Sequence, residues 1–264
     1  KLATLNHLII QPSSRVNLSL SARHYVRDYN AFFGRAFGEA SSVQNESGVY
    51  AGIRVRPTGR LELTSYLDYF RFSWLRFGIN SPSRGKDFLL GVTYRPRSTT
   101  TLYFRYKYKE KAKNQVSEDG RNTFVIPYQQ HRFRQQFSFS RGERFNMRLQ
   151  ADYTIHKDRE TSIVGWSVSQ NISVIPDKDR FQWDTGLAYF RTDSWDARIS
   201  VYEKNVLYAF SFSNYYGEGL RFYSVAKWKI RKGLTLYLRF GNTHYFDRVL
   251  IGSGLEEIEG NNRT

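Results

Sequence analysis

Cysteine is absent from this 264-residue chain, and methionine occurs once. The absence of cysteine excludes a disulfide scaffold and a thiolate metal site. No apolar run approaches the roughly 20 residues that a membrane-spanning helix needs. No stretch convincingly repeats apolar residues at i, i+3, i+4 and i+7, so amphipathic helices are not expected either. A secretory leader is not seen: Lys1 stands inside a patterned segment rather than in a basic stretch before an apolar block. That fits a cytosolic protein, or a mature or trimmed piece of one made elsewhere. Acidic residues are short, 24 against 40 Lys+Arg, leaving a net charge of +16 and a pI near 10.0. Aromatic residues are plentiful at 17%, although the mean hydropathy is only −0.58. Disordered chains are poor in large apolar groups, so this composition argues for a folded chain.

The pattern that does repeat is alternation. Val16, Leu18, Leu20 and Ala22 alternate with Asn17, Ser19, Ser21 and Arg23. Leu102, Phe104, Tyr106 and Tyr108 alternate with Tyr103, Arg105, Lys107 and Lys109, and Leu234, Leu236, Leu238 and Phe240 with Thr235, Tyr237, Arg239 and Gly241. Period two means strands with one apolar and one polar face. Many runs last about 9–11 residues, the length that crosses a bilayer at a tilt, whereas soluble strands usually have about 5–6.

Tight turn signals stand at Pro12–Ser14, Pro57–Arg60, Pro96–Ser98, Arg141–Arg144, Pro176–Asp179, Glu203–Asn205 and Arg231–Gly233. Between them run longer polar connections, clearest at Arg27–Ser47, Phe77–Lys86, Glu110–Thr123 and Thr243–Arg263. Short turns at one end and long loops at the other predict an all-β, antiparallel up-and-down transmembrane β-barrel forming a single domain over 1–264. In bacterial outer-membrane barrels the short turns face the periplasm. The competing reading is a soluble lipocalin-like barrel or sandwich, which alternates equally well but turns its apolar face inward. About fourteen long strands carry more aromatic surface than one small core holds, and only closure pairs every backbone group in hydrocarbon. The direction of the strands places Lys1 at the start of a descending strand and Thr264 in an outer loop. Barrels of this kind usually keep both termini in the periplasm. We therefore expect an interior portion of a longer chain with sixteen or more strands, in which Leu2–Gln11 and Leu234–His244 do not pair directly.

The C-terminal third carries a resemblance. Tyr202-Glu203-Lys204-Asn205-Val206-Leu207-Tyr208-Ala209-Phe210-Ser211, then Tyr215-Tyr216-Gly217-Glu218-Gly219-Leu220-Arg221-Phe222-Tyr223, Thr243-His244-Tyr245 and Ile251-Gly252-Ser253-Gly254-Leu255-Glu256-Glu257-Ile258-Glu259-Gly260-Asn261 resemble the outer-membrane barrel of helix-hairpin-helix domain-containing proteins of the Bacteroidota. The likeness covers roughly Arg198–Thr264 and is topological before it. It implies a periplasmic helix-hairpin-helix segment ahead of the barrel, which has no counterpart in these residues, and a final amphipathic strand after the Gly-Ser-Gly loop.

Few residues suggest chemistry. The histidines are His7, His24, His131, His156 and His244. None lies in a His-x-x-x-His or Gly-x-Ser-x-Gly arrangement, and no metal spacing is present, so neither an enzyme nor a cofactor is expected. Glu256, Glu257 and Glu259 form an acidic loop cluster, read here as solvated rather than as a cation site. The stronger signal is basic. With the apolar positions facing lipid, the lumen would receive Arg54, Arg56, Arg105, Lys107, Arg132, Arg134, Arg148, Lys227, Lys229 and Arg239, with Glu62, Asp68, Asp152 and Asp184 as the acids in the same register. Rings of like charge set ion preference in pores. Trp74, Trp166, Trp183, Trp195 and Trp228 suit interfacial girdles.

These features lead to two readings: a pore with a basic lumen for anionic or polar solutes, and a non-conducting scaffold that anchors a periplasmic domain or joins a larger outer-membrane complex. The expected partners are outer-membrane lipid and lipopolysaccharide, and other outer-membrane proteins. Nucleic acid is the weakest, drawn by counterion release and stacking on aromatics. Whether Arg27–Ser47, with Phe32, Phe33 and Phe37, folds inward as a plug is not legible at this stage.

Overall fold

Alternating residues form long antiparallel strands in the computed structural model, which describes the chain except for residues 1, 31–33, 35, 118–119, 159–160, 178–179 and 253. Phe32, Phe33, Asp179 and Ser253 thus lie outside the described residues. The strands are β1 (Ala3–Ser13), β2 (Val16–Tyr25), β3 (Glu46–Thr58), β4 (Leu61–Phe72), β5 (Ser83–Arg97), β6 (Thr100–Val116), β7 (Thr123–Arg141), β8 (Phe145–Lys157), β9 (Ser162–Asp177), β10 (Phe181–Thr192), β11 (Ile199–Glu203), β12 (Ser211–Tyr215), β13 (Glu218–Arg231), β14 (Leu234–Tyr245), β15 (Leu250–Ile251), β16 (Ile258–Glu259) and β17 (Asn262–Arg263). A 13-stranded sheet runs in the order β1 to β10, then β13, β14 and β17. Lys1–Thr93, Arg105–Arg132 and His156–Ser162 make up one compact unit, and Tyr94–Phe104, Phe133–Ile155 and Ile163–Thr264 a second.

The polarity of the sheet is the reverse of a water-soluble protein's. In β2, Ser21, Arg23 and Tyr25 are buried, whereas Leu20 on the opposite face is exposed. In β10, Asp184, Ala188 and Phe190 are buried, and Trp183 and Leu187 are exposed. Strand partners keep this division. Leu187 stands opposite Phe222, and Ala226 opposite Leu238, on the apolar face. Tyr50 stands opposite Ser21 and Asp68 on the polar face. A lipocalin-like core would bury the apolar set, so the soluble reading does not hold.

Two features differ from the sequence-based expectation. Glu203–Asn205 is not a tight turn of the main sheet. β11 and β12 pair only with each other there, inside the connection from β10 to β13. Ile199 and Val201 pack with Ala188, Phe190 and Tyr215, and the Phe190 and Tyr215 rings stack at 4.9 Å. Burying each such aliphatic side chain stabilises the hairpin by about 1.5–3 kcal/mol. The second difference is at Glu110–Thr123, where most of the expected loop is strand: β6 reaches Val116 and β7 begins at Thr123. At the ends of the sheet, β1 pairs with β2, and β14 pairs with β13 and with β17, through Thr243–Arg263 and His244–Asn262.

Candidate functional site: the charged face of the sheet

Polar-face side chains form ion-paired clusters, and connections that fold onto that face supply several of the acids. In the first unit Arg23 is the centre. Its Nε donates to Glu46 Oε1 at 2.6 Å, and its two Nη atoms fork onto Asp68 at 2.8 and 3.0 Å. Such bidentate, charge-assisted pairs are the strong ones. Gly48, the strand partner of Arg23, makes this possible, because a Cβ there would meet the guanidinium carbon at 2.6 Å. Glu46 also accepts from the backbone N–H groups of Glu39 and Ala40 at 2.9 and 3.0 Å. This holds residues 37–40 against the polar face, where Phe37 packs edge-on to Tyr50 at 5.3 Å. The Glu39 carboxylate binds Lys109 at 2.9 Å and also Lys111. Asp87 binds Lys107 and Lys109 at 3.1 and 3.2 Å and accepts from Tyr66 Oη at 3.1 Å. Residues 37–40 of the Arg27–Ser47 connection therefore lie against the sheet.

In the second unit Glu203, fully buried, is the centre. Arg221 forks onto it at 3.0 and 2.9 Å, and Arg239 donates at 3.1 Å. The next residue, Lys204, binds Asp184 and donates to Ser173 Oγ at 3.3 Å. The β11–β12 hairpin is thus tied by charge to β9, β10, β13 and β14. Burial, with the Glu203 carboxylate nearby, pushes the Tyr215 hydroxyl well above its ordinary pKa. Further along the face, Arg134 donates to Asp152 at 2.6 Å, and so does Gln150. In the loop after β14, burial opposes ionisation of Asp247. Hydrogen bonds from Arg248 and from backbone N–H groups outweigh it and hold the carboxyl below the usual range.

The ten basic residues singled out from the sequence divide by environment. Lys107, Arg134 and Arg239 are held in ion pairs with Asp87, Asp152 and Glu203, and Arg56 pairs with Glu62 at 2.8 Å. Arg105 is half-buried, with its Nε unpartnered among the described residues. Arg54, Arg132, Arg148, Lys227 and Lys229 are exposed. Lys227 lies over the Tyr237 ring at 5.9 Å. Sequence reasoning identified Asp68, Asp152 and Asp184 as acids of this face but missed Glu39, Glu46, Asp87 and Glu203. Glu203 carried no signal in the sequence, because the brevity of β11, five residues and too few to span a bilayer, is seen only in the structure.

The tryptophans are exposed on the apolar face or in loops. Trp166, opposite Arg191, and Trp183 project from the apolar face of β9 and β10. Arg191 and Trp183 are eight residues apart on β10, about 26 Å along a strand, or about 20 Å in height at the usual tilt. Trp228 is on the same face of β13. Trp74 and Trp195 lie in connections, each under an arginine, Arg27 at 5.0 Å and Arg198 at 4.7 Å. His131 accepts or donates at 2.9 Å to Tyr106 Oη and stacks on the tyrosine rings, while His7 and His24 bond Ser21 and Ser47 across strands.

A long-stranded antiparallel sheet with an apolar exposed face and a charged, buried one has the fold of the outer-membrane β-barrels. Two solved structures agree on that fold. Two mutant forms of the ferric enterobactin receptor of Pseudomonas aeruginosa match with TM-scores of 0.58 and 0.60 at 7% and 8% identity, each over 92% of this chain and 41% of theirs. The chain therefore spans about two fifths of the length of those receptors. A Pseudomonas aeruginosa FadL homologue aligns at a TM-score of 0.41, with 11% identity over 98% of this chain and 74% of its own. In sequence, the chain matches no protein-family model and no curated protein.

Proposed function

We propose that the chain is membrane-spanning wall of a bacterial outer-membrane β-barrel, and that its charged face lines a water-filled path for anionic or polar solutes. The inverted polarity of the sheet carries this reading. Exposed Leu187, Leu220, Phe222, Leu238 and Phe240 suit lipid, and buried ion pairs suit a wet interior walled off from it. The tryptophans sit at the two interfaces, with basic residues of the rims against phosphates of lipid and lipopolysaccharide. The path is charge-selective at Arg54, Arg148, Lys227 and Lys229, which have no ion-pair partner among the described residues, rather than at Lys107 or Arg134, whose charges are locally neutralised.

A second reading has its own observation. The β11–β12 hairpin and the segment around Glu39 both occupy the polar face, which favours a non-conducting barrel that anchors a periplasmic domain or joins an outer-membrane complex. The resemblance of Arg198–Thr264 to the helix-hairpin-helix-associated barrels of the Bacteroidota supports it. Passage of nucleic acid has only the basic charge behind it. Planar-bilayer recording on the full-length protein separates the readings. The pore reading expects single-channel conductance with anion-favouring reversal potentials in a salt gradient, weakened when Arg54, Lys227 and Lys229 are all changed to Gln. Cation selectivity, or a silent barrel, contradicts it, and silence favours the scaffold.

A further inference from the structure

In the second unit, the polar face and the residues around the β11–β12 hairpin line a half-open cavity of about 290 Å³, near the small end of ligand sites. Arg148, Asn171, Asp184, Tyr202, Lys204 and Tyr223 are among the residues that line it. Their chemistry is specific. Lys204 is matched by Asp184, whereas no carboxylate stands within ion-pair distance of Arg148 among the described residues, which leaves one net positive charge in the cavity. Tyr223 Oη donates to Asn171 Oδ1 at 2.6 Å, so the amide of Asn171 keeps its two N–H donors for a guest. Tyr202 is half-exposed at 49%, with its ring braced edge-on by Phe212 at 5.7 Å.

A fixed aromatic ring, amide and hydroxyl groups and one uncompensated guanidinium match a guest with an apolar face, several hydroxyls and one carboxylate. We propose that this cavity is a binding site for sugar acids of the hexuronate class. Arg148 takes the carboxylate through its fork, Asn171 bonds ring hydroxyls, and the C–H face of the sugar lies against Tyr202. The proposal rests on the reading of the polar face as a solute-lined path and gives that path a substrate class.

Calorimetric titration of the full-length protein, folded in detergent micelles, with D-glucuronate, D-glucose and acetate tests it. The expected result is saturable binding of glucuronate, with glucose and acetate each weaker by roughly tenfold or more, since a charged hydrogen bond or a stacked face is lost. Arg148→Gln brings glucuronate down to the level of glucose. Arg148→Lys retains part of the preference, and Tyr202→Ala weakens both sugars together. Arg15→Gln, in the turn between β1 and β2, leaves all three unchanged. The retained heat-modifiable mobility of each variant shows that it is folded. Equal binding of acetate and glucuronate, equal binding of glucose and glucuronate, or an Arg148→Gln protein that binds like the parent overturns the site. Failure of the pore reading appears separately, as silence in planar bilayers with glucuronate binding intact.

Discussion

Glu203 shows what a single side chain does in an interior of this kind. It is fully buried and receives hydrogen bonds from Arg221 and Arg239. Removing one member of a buried ion cluster leaves the others charged and unmatched, which costs about 3–5 kcal/mol, more than the net worth of the intact pair. Glu203→Ala should therefore lower the urea midpoint of the reconstituted protein. Combining it with Arg221→Met should recover part of the loss, because the stranded cation goes too. A double variant no better than the sum of its parts would mean that the two residues are not coupled. Arg23 holds the equivalent place in the first unit, and it fits because its strand partner is Gly48. The sequence displayed Arg23 in the polar register but not Glu46 or Glu39 beside it. Those acids stand at a strand start and in a connection, where alternation no longer says which way a side chain points.

The strands themselves were legible, since a bilayer-length period-two pattern has few other physical meanings. Leu236 and Thr235 test the assignment of faces. Their strand partners are Trp228 and Lys229, on the apolar and polar faces. Leu236→Arg, level with Trp228 and close to a short turn, should cost about 1 kcal/mol and slow assembly, whereas Thr235→Arg should be milder. Equal damage from the two, read as the folded fraction in vesicles, would show that the faces are misassigned. The β11–β12 hairpin was not legible as an insertion. Ile199 and Val201 alternate with Ser200 and Tyr202 just as lipid-facing residues alternate in a spanning strand, and only the brevity of β11 distinguishes it. An apolar residue facing lipid and one facing a small inner core look alike in a sequence.

On the scale of the molecule, the excess of positive charge read from composition is real but unevenly felt. Acids on the polar face and in connections that fold onto it offset individual cations, as at Asp87, Asp152 and Glu203, which concentrates the net excess at the other basic residues. Near a short turn of the second unit, Arg180, Lys227 and Lys229 line one recess with Glu143, so cations outnumber acids there. A charge count could not show this distribution, because it depends on which connections fold onto the sheet. The most direct test of the central claim, that the apolar face meets lipid and the charged face does not, exploits the absence of cysteine. Single cysteines placed along β14 at Leu236, Tyr237, Leu238, Arg239, Phe240 and Gly241 carry a spin label, and the labelled protein is reconstituted in vesicles. Its collisions with oxygen, which concentrates in lipid, and with a water-soluble nickel chelate are then compared. Labels at 236, 238 and 240 should collide with oxygen, and those at 237, 239 and 241 should not. The opposite phase, or no alternation, would contradict the account.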